Sequence, residues 1–233
     1  MYPVVILSGG LATRLGGKTK YSPKSLIQIA GKPFIFHQLN YLAEQGIKEV
    51  HICIGHLGKM IKDKVGSGKQ FNLKISYSDD GPKLLGTGGA IKKALSYLPQ
   101  EFFVLYGDSY LPINFSDVLN GYLRSKKLGL VTVLKNNNKW DKSNIIYNND
   151  KVTMYNKDLF QEKMNYIDYG LSILSASLFS EYGHENFDLG EVFYNLSIKD
   201  ELAGFEVSQR FYEIGSHDGI IDTERFIINR GIK

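Results

Sequence analysis

Cysteine is nearly absent from this chain, and its opening stretch has no acid at all. The one cysteine, Cys53, rules out an intrachain disulfide. It sits in the apolar run His51-Ile52-Cys53-Ile54, where a core role is expected. No apolar run approaches the roughly 18 residues of a membrane span, and the N-terminus lacks a signal-peptide layout. Both absences point to a cytoplasmic protein with no membrane partner. The stripes of aromatic and basic residues expected of a nucleic-acid binder are also missing, and the net charge is a mild +4. What remains is ordinary globular material, 43% hydrophobic and 22% charged over 233 residues. That length suits one well-packed domain and is short for two. There is no internal repeat, low-complexity tract or linker. The expected layout is therefore a single domain over 1–233, built as two lobes over about 1–127 and about 128–233.

No Asp or Glu occurs before Glu44, yet Arg14, Lys18, Lys20 and Lys24 all do. They follow a short apolar run, Val4 to Ser8, which reads as a buried strand, and the Gly9-Gly10 pair, where the backbone can turn sharply and approach a ligand. A strand, a glycine turn and unneutralised cations make a phosphate-binding design. It is none of the three familiar phosphate loops. Leu11 breaks the dinucleotide pattern G-x-G-x-x-G, and the kinase glycine loop fails with it. The P-loop pattern fails because the glycine needed five positions before Gly17 is Ala12.

Further along, strand and helix alternate. Helices are expected over Pro33 to Gln45, Leu57 to Val65 and Gly88 to Leu98, with strands over Glu49 to Gly55, Phe71 to Ser78 and Phe102 to Tyr106. This predicts an α/β fold: a mostly parallel, Rossmann-like sheet with helices on both faces. Ligands on such sheets bind beyond the carboxyl ends of the strands, where Gly9, Gly55, Asp79 and Asp108 fall. The second half changes character. Strands over Leu128 to Leu134, Asn144 to Tyr147, Lys151 to Tyr155 and Tyr169 to Leu174, with asparagine-rich turns between them, predict a smaller mixed-strand lobe. Helices resume over Leu189 to Ile198 and Asp218 to Asn229.

Asp108, in Gly107-Asp108-Ser109 at a strand's end, is placed to bind Mg²⁺ bridging triphosphate oxygens. Tyr110 stands where a D-x-D glycosyltransferase would carry its second Asp. The glycine-rich run Leu85 to Ala90 offers flat backbone and free helix-start amides to a nucleoside. His37 and His56 have no partner at metal or relay spacing and read as structural.

Gly9, Gly10, Thr13, Arg14 and Leu15 spell G-G-x-x-T-R-L, and Pro23-Lys24 follows. This signature resembles that of the nucleotidyltransferases that activate sugar 1-phosphates, and the resemblance runs from Gly9 to Gly215. It implies an enzyme that joins a nucleoside triphosphate to a small phosphorylated metabolite and releases pyrophosphate, with Mg²⁺ as cofactor and Mn²⁺ able to substitute. It implies Arg14 and Lys24 as catalytic residues, and Leu7, Ser8, Gly9, Gly10, Thr13, Gly86 and Thr87 around the nucleotide. Lys157 would hold the acceptor's phosphate, although Asn156 replaces the acid that relatives carry beside this lysine. Asp168, Tyr169 and Gly170 would contact the acceptor, with Asp168 where relatives carry Asn. Glu213 would join Asp108 on the metal, from a place where relatives show Asp-Ile-Gly-Thr. A monomer or homodimer is expected.

Further runs, among them Trp140-Asp141-Lys142-Ser143-Asn144 and Tyr166-Ile167-Asp168-Tyr169-Gly170, are similar to a narrower branch that transfers a cytidylyl group from CTP to phosphoglutamine for the phosphoramidate decoration of bacterial capsules. Heptose 1-phosphate guanylyltransferases and glucose 1-phosphate cytidylyltransferases are the alternative branches. A nucleotide-sensing module without catalysis is the alternative of another class.

Overall fold

The computed structural model describes residues 1–10, 22–159 and 161–231. In chain order, strand β1 (Val4–Ser8) leads to the ribbon of β2 (Gln28–Ile29) and β3 (Lys32–Pro33). Then come α1 (Phe34–Glu44), β4 (Glu49–Ile54), α2 (Gly58–Val65), β5 (Lys74–Asp79), α3 (Gly86–Ala94) and β6 (Glu101–Tyr106). After β7 (Ser109–Tyr110) and α4 (Phe115–Ser125) follow β8 (Gly129–Lys135), β9 (Ile145–Asn148), β10 (Lys151–Tyr155) and β11 (Tyr166–Ser175). The chain continues through α5 (Leu189–Ile198), β12 (Leu202–Val207), β13 (Tyr212–Glu213) and α6 (His217–Asn229).

Nine strands form one sheet in the order β5-β4-β1-β6-β11-β8-β12-β10-β9. The first four are parallel, as the alternation of strand and helix predicts; Ile6 pairs with Ile52 on one side and Leu105 on the other. A strand flanked on both sides and covered on both faces must be apolar throughout. Accordingly Val4, Val5 and Ile6 are fully buried, and separate apolar cores pack on the two faces.

The sheet then turns mixed. β11 runs antiparallel to both β6 and β8, while β12 is parallel to β8. At the far end β9 pairs back onto β11 through Ile145 and Tyr166, so the last strands curl into a ring. The β11–β8 register shifts between Asp168 and Ser172, and Gly170 within that irregularity has φ +106. Such a bulge re-aims side chains at one point of an otherwise regular strand.

Two long elements, α4 and β12, and the two-residue strands β2, β3, β7 and β13 lie beyond those expected from the sequence. α4 is opened by Asn114, whose side chain accepts from Ser116 N at 2.8 Å. β12 inserts between β8 and β10. The third strand starts at Lys74, later than expected, because Asn72 at φ +56 turns the chain just before it. No helix among the described residues is long and apolar enough to cross a membrane.

Candidate active site

The carboxyl ends of β1, β4, β5 and β6 open into a cavity of about 270 Å³, walled by Leu7, Ser8, Gly9 and Gly10 on one side. Asp80, Leu84, Gly86 and Thr87 face them, and Lys24, Tyr106 and Asp108 close it. Three buried oxygens on its lining, Ser8 Oγ, Ser25 Oγ and Tyr106 OH, have no hydrogen-bond partner among the described residues. Buried polar groups are seldom left unpaired, so orphans converging on one cavity mark it as a place for a polar ligand.

Lys24 Nζ lies 2.7 Å from Asp108 Oδ2. Glu213 comes from the other lobe through the pairing of β13 with β7, which sets Glu213 opposite Ser109 and lets Ile214 N donate to the Asp108 carbonyl at 3.0 Å. Its carboxylate turns back onto the start of α6. Ser216 Oγ donates to Oε1 at 2.6 Å, and the Gly215 amide donates to Oε2. A Cβ on Gly215 would lie 2.5 Å from Glu213 Oε2 and 2.9 Å from Lys24 Nζ, so the ammonium stands close to both acids. Two carboxylates gathered around a cation fit a hard divalent metal. Among the described residues no third His, Cys, Asp or Glu completes a ligand cluster, which leaves the other positions to phosphate and water oxygens.

The glycine-rich segment departs from expectation. Gly88 N and Gly89 N both donate to the Phe187 carbonyl, at 2.9 and 3.3 Å, so these amides are not free for a nucleoside. A Cβ on Gly86 would lie 2.5 Å from the same carbonyl oxygen. The glycines let the segment before α5 lie directly against α3, joining the two lobes. Gly86 and Thr87 do line the cavity.

In the second half of the chain, the bulge in β11 aims Asp168 inward. Tyr155 OH donates to its Oδ2 at 2.8 Å and Gly170 N to its Oδ1 at 2.9 Å. Burial raises the Asp168 pKa, and Lys157 is foremost among the groups opposing the rise. Burial also pushes the Tyr106 hydroxyl well above its ordinary value, with Asp168, Asp188 and Asp108 adding to the effect. Lys157 Nζ lies 5.6 Å from the centre of the Tyr106 ring and 3.8 Å from Asp188 Oδ1.

Of the residues expected in the site, Leu7, Ser8, Gly9, Gly10, Lys24, Gly86, Thr87 and Asp108 line one cavity. Lys157, Asp168 and Gly170 sit together beside Tyr106. Thr13 and Arg14 lie outside the described residues. Tyr169 requires a correction. Alternation along β11 sends its ring to the opposite face, where it is 1% exposed, stands edge-on to Phe211 and donates to the Arg210 carbonyl at 3.4 Å. Its side chain is core, not substrate contact.

Two acids were not foreseen. Asp80, 9% exposed, lines the cavity, and among the described residues its side chain accepts one long bond, from Leu85 N at 3.4 Å. Asp188 caps α5. An acid at a strand's end could have flagged Asp80; nothing local flags Asp188 as a partner of Lys157.

A mostly parallel α/β sheet with a glycine-lined cavity, a lysine and two carboxylates at its strand ends defines a nucleotide-processing enzyme that works on phosphate groups. The chain belongs to the Nucleotidyl transferase family, whose model matches residues 3–227. It is 30% identical over 228 residues to a D-glycero-α-D-manno-heptose 1-phosphate guanylyltransferase of Campylobacter jejuni, covering 97% of this chain and 98% of that one. It is 34% identical over 105 residues to a CMP-5'-(3-aminopropyl)phosphonate synthase of Streptomyces rubellomurinus, which spans 45% of this chain and 17% of that longer protein. Among solved structures, HddC from Yersinia pseudotuberculosis complexed with GMP-PN superimposes with a TM-score of 0.84 at 27% identity, covering 97% of this chain and all of that one.

Proposed function

We propose that this nucleotidyltransferase condenses CTP with L-glutamine phosphate, giving CDP-L-glutamine and pyrophosphate for capsular polysaccharide modification. The observation that carries this reading is Asp168. An amide suits sugar hydroxyls because it both donates and accepts, whereas a carboxylate only accepts and carries charge. Asp168 takes one donor on each oxygen, from Tyr155 and Gly170, and keeps acceptor capacity on both. A deeply set carboxylate with spare lone pairs favours a cationic partner, and L-glutamine phosphate brings an α-ammonium where sugar 1-phosphates bring none.

Asp80 supports the choice of base. A carboxylate in the cavity wall accepts from the exocyclic amine of cytosine, guanine or adenine and opposes the carbonyls of uracil and thymine. The relative named for a CMP-linked aminopropyl phosphonate adds weight to a cytidylyl group joined to an amine-bearing acceptor. The second reading is GTP with a heptose 1-phosphate. It is favoured by the guanylyltransferase matched along nearly its whole length, and guanine's amine satisfies Asp80 equally.

In either case an oxygen of the acceptor phosphate attacks the α-phosphorus in line. A new P–O bond forms as the bond to the β-phosphate oxygen breaks, and its electrons leave with pyrophosphate. No general base is needed, since a phosphate is already ionised at neutral pH. The chain's contribution is alignment and charge. Lys24 bears on the α-phosphate, Arg14 on the departing pyrophosphate, and Lys157 holds the acceptor phosphate. Asp108 and Glu213 would hold a Mg²⁺ whose charge offsets that of the phosphate oxygens.

The test is a pyrophosphate-release screen of four nucleoside triphosphates against L-glutamine phosphate, heptose 1-phosphate and glucose 1-phosphate. CTP with L-glutamine phosphate is expected to lead, with UTP and dTTP poor. Asp168→Asn should raise KM for L-glutamine phosphate roughly tenfold to a hundredfold, the scale of one charge-assisted hydrogen bond, and leave KM for CTP unchanged. GTP with heptose 1-phosphate as the working pair would overturn the branch and leave the class standing. Pyrophosphate from no pair would favour a nucleotide-sensing module.

A further inference from the structure

Lys157 has Asn156 rather than an acid beside it in sequence, yet it is not left without a charge partner. Asn156 serves the local turn instead, its Oδ1 accepting from Asp158 N and Leu159 N at 2.8 Å each. The charge partner comes from a distant part of the chain. Asp188 Oδ1 stands 3.8 Å from Lys157 Nζ, and Asp188 is itself tightly held. Gly190 N donates to Oδ1 at 2.7 Å and Thr87 Oγ1 donates to Oδ2 at 3.1 Å, while Thr87 Oγ1 accepts from Leu189 N at 2.7 Å. Thr87 stands in the first turn of α3 and lines the nucleotide cavity. A continuous set of contacts therefore runs from the nucleotide helix through Thr87 and Asp188 to the acceptor lysine.

We infer that Asp188 is a positioning residue: through its charge it sets the Lys157 ammonium for the acceptor's phosphate, and Thr87 ties that setting to the wall of the nucleotide site. The inference rests on the reading of Lys157 as the phosphate-holding residue. The geometry suits the role. At 3.8 Å, with no hydrogen bond between them, the pair orients the ammonium without using up its donors, leaving them for phosphate oxygens. The ring of Tyr106 below and the carboxylate of Asp168 nearby limit where else the ammonium can go.

The test is a kinetic cycle over wild type, Asp188→Asn, Lys157→Ala and the double variant. It uses CTP with L-glutamine phosphate, or GTP with heptose 1-phosphate if that pair is the one that turns over. Asparagine caps a helix as well as aspartate does, so Asp188→Asn removes the charge and keeps the bond from Gly190 N at the start of α5, while the amide nitrogen that replaces Oδ2 donates to Thr87 Oγ1. Both side chains are partly exposed, so the expected effect is a threefold to fivefold rise in KM for the phosphorylated acceptor, with KM for the triphosphate and the melting temperature unchanged. In the Lys157→Ala background, Asp188→Asn should add nothing. Asp188→Glu should recover part of the loss.

An unchanged acceptor KM in Asp188→Asn overturns the inference. So does an equal factor in the Lys157→Ala background, or a loss shared by both KM values together with a lower melting temperature. Lys157→Ala with wild-type acceptor KM would instead sink the assigned role of Lys157, and the inference with it. A switch of working pair alone touches only the substrate reading.

Discussion

Gly89 separates two accounts of the glycine-rich turn before α3, one in which its glycines form a floor for a nucleoside and one in which they let the lobes meet. Gly89 is buried. A Cβ placed there would fall inside the van der Waals shell of the Glu185 carbonyl oxygen and lie 3.0 Å from Leu85 Cβ and 3.1 Å from Glu185 C. The obstacle is backbone, which cannot swing aside as a long side chain would. Gly89→Ala must therefore push α3 away from the segment before α5. The Gly88 and Gly89 bonds to Phe187 O lengthen, and the Thr87–Asp188 contact beside them is strained.

Overpacking of this kind costs about 1–3 kcal/mol, and weakening two buried hydrogen bonds adds about 1 kcal/mol or more. Alanine's better helix propensity returns about 1 kcal/mol. The net is a loss of about 1–3 kcal/mol, or roughly 2–12 °C in melting temperature for a chain of this size. Thermal melting by circular dichroism, with and without CTP, reads it directly. If Gly89→Ala melts at or above the wild-type temperature while KM for CTP rises, the glycine serves the nucleoside and the packing account is refuted.

Two further outcomes concern the charged centre. Lys24→Ala should cost about 10²-fold or more in turnover, the scale for losing one preorganised charged donor, with a modest fall in melting temperature because the partly buried ammonium is paired with Asp108; near-normal turnover would remove Lys24 from the mechanism. Activity should vanish with a chelator and return with Mg²⁺ or Mn²⁺, and Asp108→Asn should be more damaging than Glu213→Gln, since both Glu213 oxygens are already engaged at the start of α6; metal-independent turnover would defeat the assignment of both carboxylates.

The legible parts of the molecule are those whose causes lie close together in sequence. β1 and its glycine turn declare themselves because the buried part of a central strand, Val4 to Ile6 here, is apolar at every position. Asp108 and Lys24 follow from strand-end position and from the lack of early acid. The illegible parts depend on partners far along the chain. β11 enters between β6 and β8 because Leu171 finds Leu105 and Ser172 finds Val131, pairings that no local pattern announces. Tyr169 was misplaced for a simpler reason: a motif names neighbours together, but a strand sends consecutive side chains to opposite faces. The ion partner of Lys157 could not be read at all, because Asp188 presents itself in sequence only as a helix cap.

The order in which the chain is made gives the pairing of β13 with β7 a further consequence. Asp108 and the strands that position it are made early in synthesis, but Glu213 is added only after the residues of the curled lobe and α5 have been joined to the chain. A nascent chain that has reached β6 can already assemble the parallel strands of the nucleotide lobe, yet lacks Lys157, Asp168 and the second carboxylate. β6 also waits with one edge unpaired until β11 emerges to cover it. The growing polypeptide thus makes the strands that line the main cavity well before the residues proposed to act on a ligand there. An arrested chain would carry an open strand edge, which is the feature most prone to pair with another molecule.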